Sequence, residues 1–217
     1  MARSSTPLAP RISAPDLPAT LDPATLRPRI EVIAALVEGL SGEVDASNAH
    51  LSESVLRDVD VARLDLSRSR LVDVDIQELR GVEINGRETR WQTVRVTGGR
   101  VATLDLSRSS LSGVEFRGLR VDYLTLAGCD AFDVLFVDCI IGSLDAPQAK
   151  LGRVAFEGCR VDDVDNRGWK IEHVDLRGLD AVRYLDMAGL RGATMGDQQV
   201  TALGRHFAAA VGVDVRD

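Results

Sequence analysis

The sequence predicts an all-β solenoid of about seven four-sided coils with short terminal α-helices. Three observations lead there. Apolar residues recur every five positions, the recurring residues sort into families every twenty, and aromatic residues make up only 4% of a chain that is 45% apolar. A narrow interior explains so few large rings better than a broad globular core does.

The five-residue period is sustained from Val44 to Arg183, 140 residues or 28 repeats. In the column of Leu66, Leu71 and Ile76, 25 of 28 residues are apolar, the exceptions being Gly81, Gly86 and Asn166. The column two positions earlier (Leu64, Ser69, Val74) has 23 of 28, whereas the column between them has 4 and the two that follow have 8 and 1. This in-out-in-out-out pattern fits neither a 3.6-residue helix nor a continuous alternating strand. Each repeat is therefore a short extended stretch followed by a corner.

Every fourth repeat brings back the same kind of residue, so twenty residues make one coil and 140 make seven. One inward row reads Val44, Leu64, Ile84, Leu104, Leu124, Leu144, Val164, and another reads Ser54, Val74, Val94, Val114, Val134, Val154, Val174. Phe116, Phe136 and Phe156 form an internal ladder. At the strand spacing of about 4.8 Å, seven coils make a rod roughly 34 Å tall.

With these repeats the chain resembles the pentapeptide-repeat proteins, in which a small or apolar residue, Asp or Asn, Leu or Phe, and two polar or Gly positions recur. Leu64-Asp65-Leu66-Ser67-Arg68, Val114-Glu115-Phe116-Arg117-Gly118 and Val174-Asp175-Leu176-Arg177-Gly178 are the clearest copies. The resemblance, to bacterial members with N- and C-terminal helical caps, implies a right-handed quadrilateral β-helix without catalytic activity. Two departures stand out. Val, Leu or Ile fills the first inward position on two sides, and Gly81, Gly86 and Gly99 point inward, which predicts irregular coils near Gly81 to Gly99 with Trp91 as filler.

A solenoid must cover both open ends of its core. Residues 1–24, with Pro7, Pro10, Pro15, Pro18 and Pro23, read as a tail or an arm laid along the rod. Residues 25–43 read as an N-terminal helical cap, because Pro28 precedes apolar residues at 30, 33, 36, 37 and 40. The solenoid occupies 44–183. Residues 184–217 read as a closing coil and helix, with Val200, Leu203, Phe207 and Val211 on one stripe, Gly212 as the stop, and Val211, Val213 and Val215 as a short closing strand. In relatives that protect gyrase the C-terminal end pairs with its twin, which implies a possible homodimer through this end.

Chemistry-bearing motifs are scarce. His50, His173 and His206 lie far apart in sequence, Cys129, Cys139 and Cys159 form no Cys-x-x-Cys pair, and no nucleophile elbow or phosphate loop occurs. No apolar run is long enough for a membrane span or signal peptide. The expectation is a cytoplasmic protein with no catalytic residues, no cofactor, no metal and no membrane association. A formal net charge of −7 argues against direct nucleic-acid binding.

Two functional readings follow. The first is a protein-interaction scaffold with an unidentified protein partner, docking on an apolar outward patch in the fifth coil: Phe132, Leu135, Val137 and Ile140. The alternative, taken from the family, is an acidic rod that mimics DNA toward a type II topoisomerase (gyrase) and protects it from quinolones. Its candidate face is Asp58, Asp75, Glu78, Glu115, Asp138, Glu157 and Asp175. Duplex DNA carries a charge per about 1.7 Å, so a rod this tall would need on the order of 20 net negatives. The solenoid has 24 acidic and 19 basic residues, a net of −5. Basic rows at Arg70, Arg90, Lys150, Lys170 and at Arg80, Arg100, Arg120, Arg160 dilute it further.

Overall fold

In the computed structural model, residues 6–216 are described, and fifteen parallel-paired strands wind into a single β-solenoid of about eight turns followed by two short helices. The twenty-residue coil appears directly in the pairing. Leu64 lies beside Ile84, Ile84 beside Leu104, Leu104 beside Leu124, and Leu124 beside Leu144. The same spacing governs the rings: Phe116 and Phe136 stack with centroids 4.9 Å apart, as do Phe136 and Phe156. That distance is one strand spacing.

The glycine-bearing coils are regular, contrary to the sequence expectation. The pairing from Arg70–Asn85 to Arg90–Asp105 keeps its twenty-residue offset past Gly81, Gly86 and Gly99. Gly99 sits at φ +108°, and a Cβ there would collide with the carbonyl of Leu79 below it. Glycine lets the backbone pass without a side chain. Trp91, in the same coil as Gly86 and Gly99, is fully buried and lies 6.1 Å from the Phe116 ring.

Several inward polar residues are answered by backbone, whereas the buried Trp91 indole N–H has no partner among the described residues. Ser69 Oγ donates to the Ala46 carbonyl, Thr89 and Ser109 hydroxyls donate to that of Gly86, and the Trp169 indole donates to that of Ala146. All four thus serve carbonyls at one corner of their coils. Buried donors without partners would cost about 1–3 kcal/mol each.

The N-terminal helix does not form. Residues 31–38 are strands, Glu31–Ile33 and Ala35–Glu38, and they add a leading turn to the rod. Val32, Ala35 and Val37 are buried, while Ile33, which the helical reading placed inward, is 58% exposed. The pairing offset here is nineteen residues: Val32 opposes Leu51 and Val37 opposes Leu56. It becomes twenty after a shift between Gly42 and Glu43. The missing residue changes the phase of the repeat, which is why the five-residue register stops at Val44. Above this turn the chain pairs once more, Asp22 with Ala35 and Pro23 with Leu36, and Ala24 and Leu26 pack against the core.

At the other end Asn166 Nδ2 donates 2.5 Å to the Asp186 carbonyl, and its Oδ1 accepts from the Asp186 N–H. This explains the one inward Asn: it turns the chain out of the last coil. Helix α1 (Asp197–Ala202) and helix α2 (Gly204–Ala210) follow. The stripe expected to be one helix is broken at Leu203, and residues 213–216 form no strand.

Candidate interaction surfaces

The proposed fifth-coil patch is divided by the fold. Phe132 is exposed on the second side of the coil, and its ring covers Gly152, where a Cβ would collide with it. Ile140 is exposed on the fourth side. Between them Leu135 is half-buried and Val137 is only 5% exposed, so Val137 is no part of an open surface. The repeat alone places all four outward; what hides Val137 is tertiary.

The acidic side is largely paired. Glu115 is buried and held by Arg95 at 3.0 Å and Arg117 at 2.6 Å. Asp175 pairs with Arg177 and Glu78 with Arg80, and Asp75 accepts from the Gln77 amide. The Arg177 guanidinium against Asp175 keeps that carboxyl below the usual carboxylate range. Asp58, Asp138 and Glu157 are exposed and make no ion pair among the described residues.

An extended arm, residues 6–20, lies along the corner between the second and third sides. The Arg11 N–H donates to Asp133 at 2.9 Å and the Asp16 N–H to Asp73 at 3.3 Å. Asp133 also accepts two hydrogen bonds from the Arg153 guanidinium, 2.6 and 2.5 Å. Arg153 foremost, then the Arg11 N–H, hold the Asp133 carboxyl below its ordinary range against the opposing effect of partial burial. The sequence suggested an arm through its prolines but gave no path for it.

The C-terminal end carries a concavity lined largely by apolar side chains. Met187, Leu190, Met195, Val200, Phe207 and Val211 line a groove of about 510 Å³. Of the stripe proposed from sequence, Leu203 is buried against the last coil, Phe207 is half-buried, Val200 is exposed and Val211 is 76% exposed. Leu203 thus caps the core, and Val200 and Val211 face outward from the cap. Met187, Leu190 and Met195 carry no repeat signal and were missed in the sequence.

The buried cysteines belong to the core. Burial pushes the Cys129 thiol up to about 12, and Cys139, donating to Cys159 and buried, is held above its ordinary range. Such thiols are poor nucleophiles. Among the described residues no group of three His, Cys, Asp or Glu could hold a metal ion. Among the described residues no helix is long and apolar enough to cross a membrane.

No family model matches the sequence, and no curated protein matches it either. Solved structures similar to this chain include a fluoroquinolone resistance protein and a pentapeptide-repeat protein. QnrB1, a plasmid-mediated fluoroquinolone resistance protein, aligns over 87% of this chain and 99% of its own at 11% identity and a TM-score of 0.28. HetL, a pentapeptide-repeat protein involved in heterocyst differentiation regulation in the cyanobacterium Nostoc sp., aligns over 78% of this chain and 90% of its own at 16% identity and a TM-score of 0.22. Scores this low carry no argument about partner or activity. The period, the coil and the ladders of the chain itself describe its fold.

Proposed function

We propose that this chain, a pentapeptide-repeat β-solenoid by its own period and coils, is a non-catalytic interaction scaffold that forms a homodimer through its C-terminal end. The observation that carries this reading is the apolar groove beside exposed Val200 and Val211. An apolar end surface on a rod whose sides are charged is where a second copy gains most by burial. A pairing of like ends would be self-complementary, and it would leave the sides of both rods free for a protein partner. Phe132 and Ile140, on separate sides, are among the exposed apolar residues available there, with Val82, Tyr123 and Val182.

A capture experiment tests the partner half of this reading. Phe132→Glu and Ile140→Glu should leave the circular dichroism spectrum unchanged and remove the partner recovered by the wild-type protein. Recovery of the same partner by both variants would count against these sides as docking surfaces.

Topoisomerase modulation through DNA mimicry gains less support. The acidic side has Glu115, Asp175 and Glu78 tied to arginines. A supercoiling assay with and without a quinolone decides the matter: no change in supercoiling or drug-induced cleavage retires that reading.

A further inference from the structure

We propose that the corner between the second and third sides is a binding groove for an extended proline-rich peptide, and that the arm is its resident ligand. This adds a second surface to the scaffold reading. Its test reads that groove alone, so its failure would leave the C-terminal dimer untouched.

Burial marks the groove. Along this corner Asp73, Thr93, Gly113, Asp133, Arg153 and His173 include no exposed residue, whereas the corner before it, Arg68, Glu88, Arg108, Gly128, Gln148 and Gly168, is exposed throughout. The arm lies over the covered corner.

The match in length is direct. Asp73 and Asp133 lie three coils apart, about 14 Å at the strand spacing. Arg11 and Asp16 lie five residues apart, about 16 Å in a polyproline or strand conformation. The arm therefore runs extended along the rod axis, one N–H on each carboxylate, with the Arg11 carbonyl above Gly113. Pro7, Pro10, Ile12, Pro15, Leu17 and Pro18 are half-buried along it. Prolines cannot join the strand ladder, but they hold a chain extended before it binds, which lowers the entropy cost.

The coils beneath do not need the arm. Their strand pairing is continuous from Ser110–Arg117 to Lys150–Glu157, and Asp133 already has Arg153. Two hydrogen bonds from the arm to rod side chains, to residues 57 and 122 positions away, make it a displaceable strap. The partner that fits is a protein with an extended, proline-rich segment offering two free N–H groups five residues apart.

The experiment uses a fluorescent peptide of residues 6–20. It is titrated onto the full chain and onto the full chain carrying Ile12→Gly and Leu17→Gly, which loosens the arm and leaves the groove intact. Release of the resident arm should tighten peptide binding about tenfold, because an occupied groove lowers apparent affinity by its free fraction. Asp73→Ala with Asp133→Ala should abolish the gain, and a scrambled peptide should not bind. Equal binding to the wild type and the loosened variant, or equal binding of the scrambled peptide, overturns the proposal. Hydrogen exchange on the wild type gives a second readout: the Arg11 and Asp16 amides should be protected and lose protection in the loosened variant. Unprotected amides in the wild type also overturn it.

Discussion

The two ends of the rod solve one problem differently. At the N-terminal end the chain closes the core with more of the same: a nineteen-residue turn with buried Val32, Ala35 and Val37, then Asp22 and Pro23 paired above it. At the C-terminal end the ladder gives way to helices. Leu203 plugs the core, Gln199 donates to the carbonyls of Leu176 and Leu179, which have no following coil, and an apolar groove remains outside. The difference teaches that covering a core and finishing a surface are separate tasks. The N-terminal end does both with polar chain outermost, and the C-terminal end covers the core yet leaves Val200 and Val211 unburied.

The largest effect should come from testing the N-terminal closure. Val37→Lys places a charge in a fully buried position and should unfold the leading turn, with a loss above about 4 kcal/mol. Ile33→Lys, at an exposed position, should stay within about 0.5 kcal/mol of wild type. Urea denaturation of the pair discriminates strand from helix, since a helix buried along the sequence stripe would hold both residues inward and make both substitutions costly. At the opposite end, Leu203→Ala should cost about 2–5 kcal/mol by opening a cavity over the last coil, read as a lower urea midpoint. Gln199→Ala leaves two carbonyls without their side-chain donor and should cost about 1–3 kcal/mol, a smaller shift in the same measurement.

The smallest effect separates the sides from the ends. Asp133, Asp165 and Asp175 have carboxyls held below the ordinary range by Arg153, Arg167 and Arg177 respectively. A lowered folded-state value means their contribution is complete above the unfolded value of about 3.9 and is lost as pH falls through the folded one. Thermal melts should therefore be insensitive to these groups near neutrality and fall below about pH 4. Arg153→Met should flatten part of that acid decline.

What the sequence revealed and what it hid follow from the same repetition. Inward ladders such as Phe116, Phe136 and Phe156 were legible because each coil poses the same packing question to residues twenty apart. The leading turn was not. Its apolar residues at 30, 37 and 40 satisfy a helical stripe as well as a solenoid, and only four residues separate Leu40 from Val44 where five would keep the phase. The fifth-coil patch failed at Val137 for another reason. The repeat says which way a side chain points, not how far its neighbours in adjacent coils cover it, and Val137 lies between Arg117 and Glu157 in the ladder. The groove at the C-terminal end draws on Met187, Leu190 and Met195 outside the period, so no column count could find it.

Sedimentation equilibrium tests the central claim, that the C-terminal end is an interface, most directly. The wild-type chain should sediment at twice its 23.4 kDa mass across the micromolar range, and Val200→Glu with Val211→Glu should return it to a folded 23.4 kDa monomer. A wild-type protein that sediments as a monomer throughout, or a double variant that stays dimeric, would contradict the account.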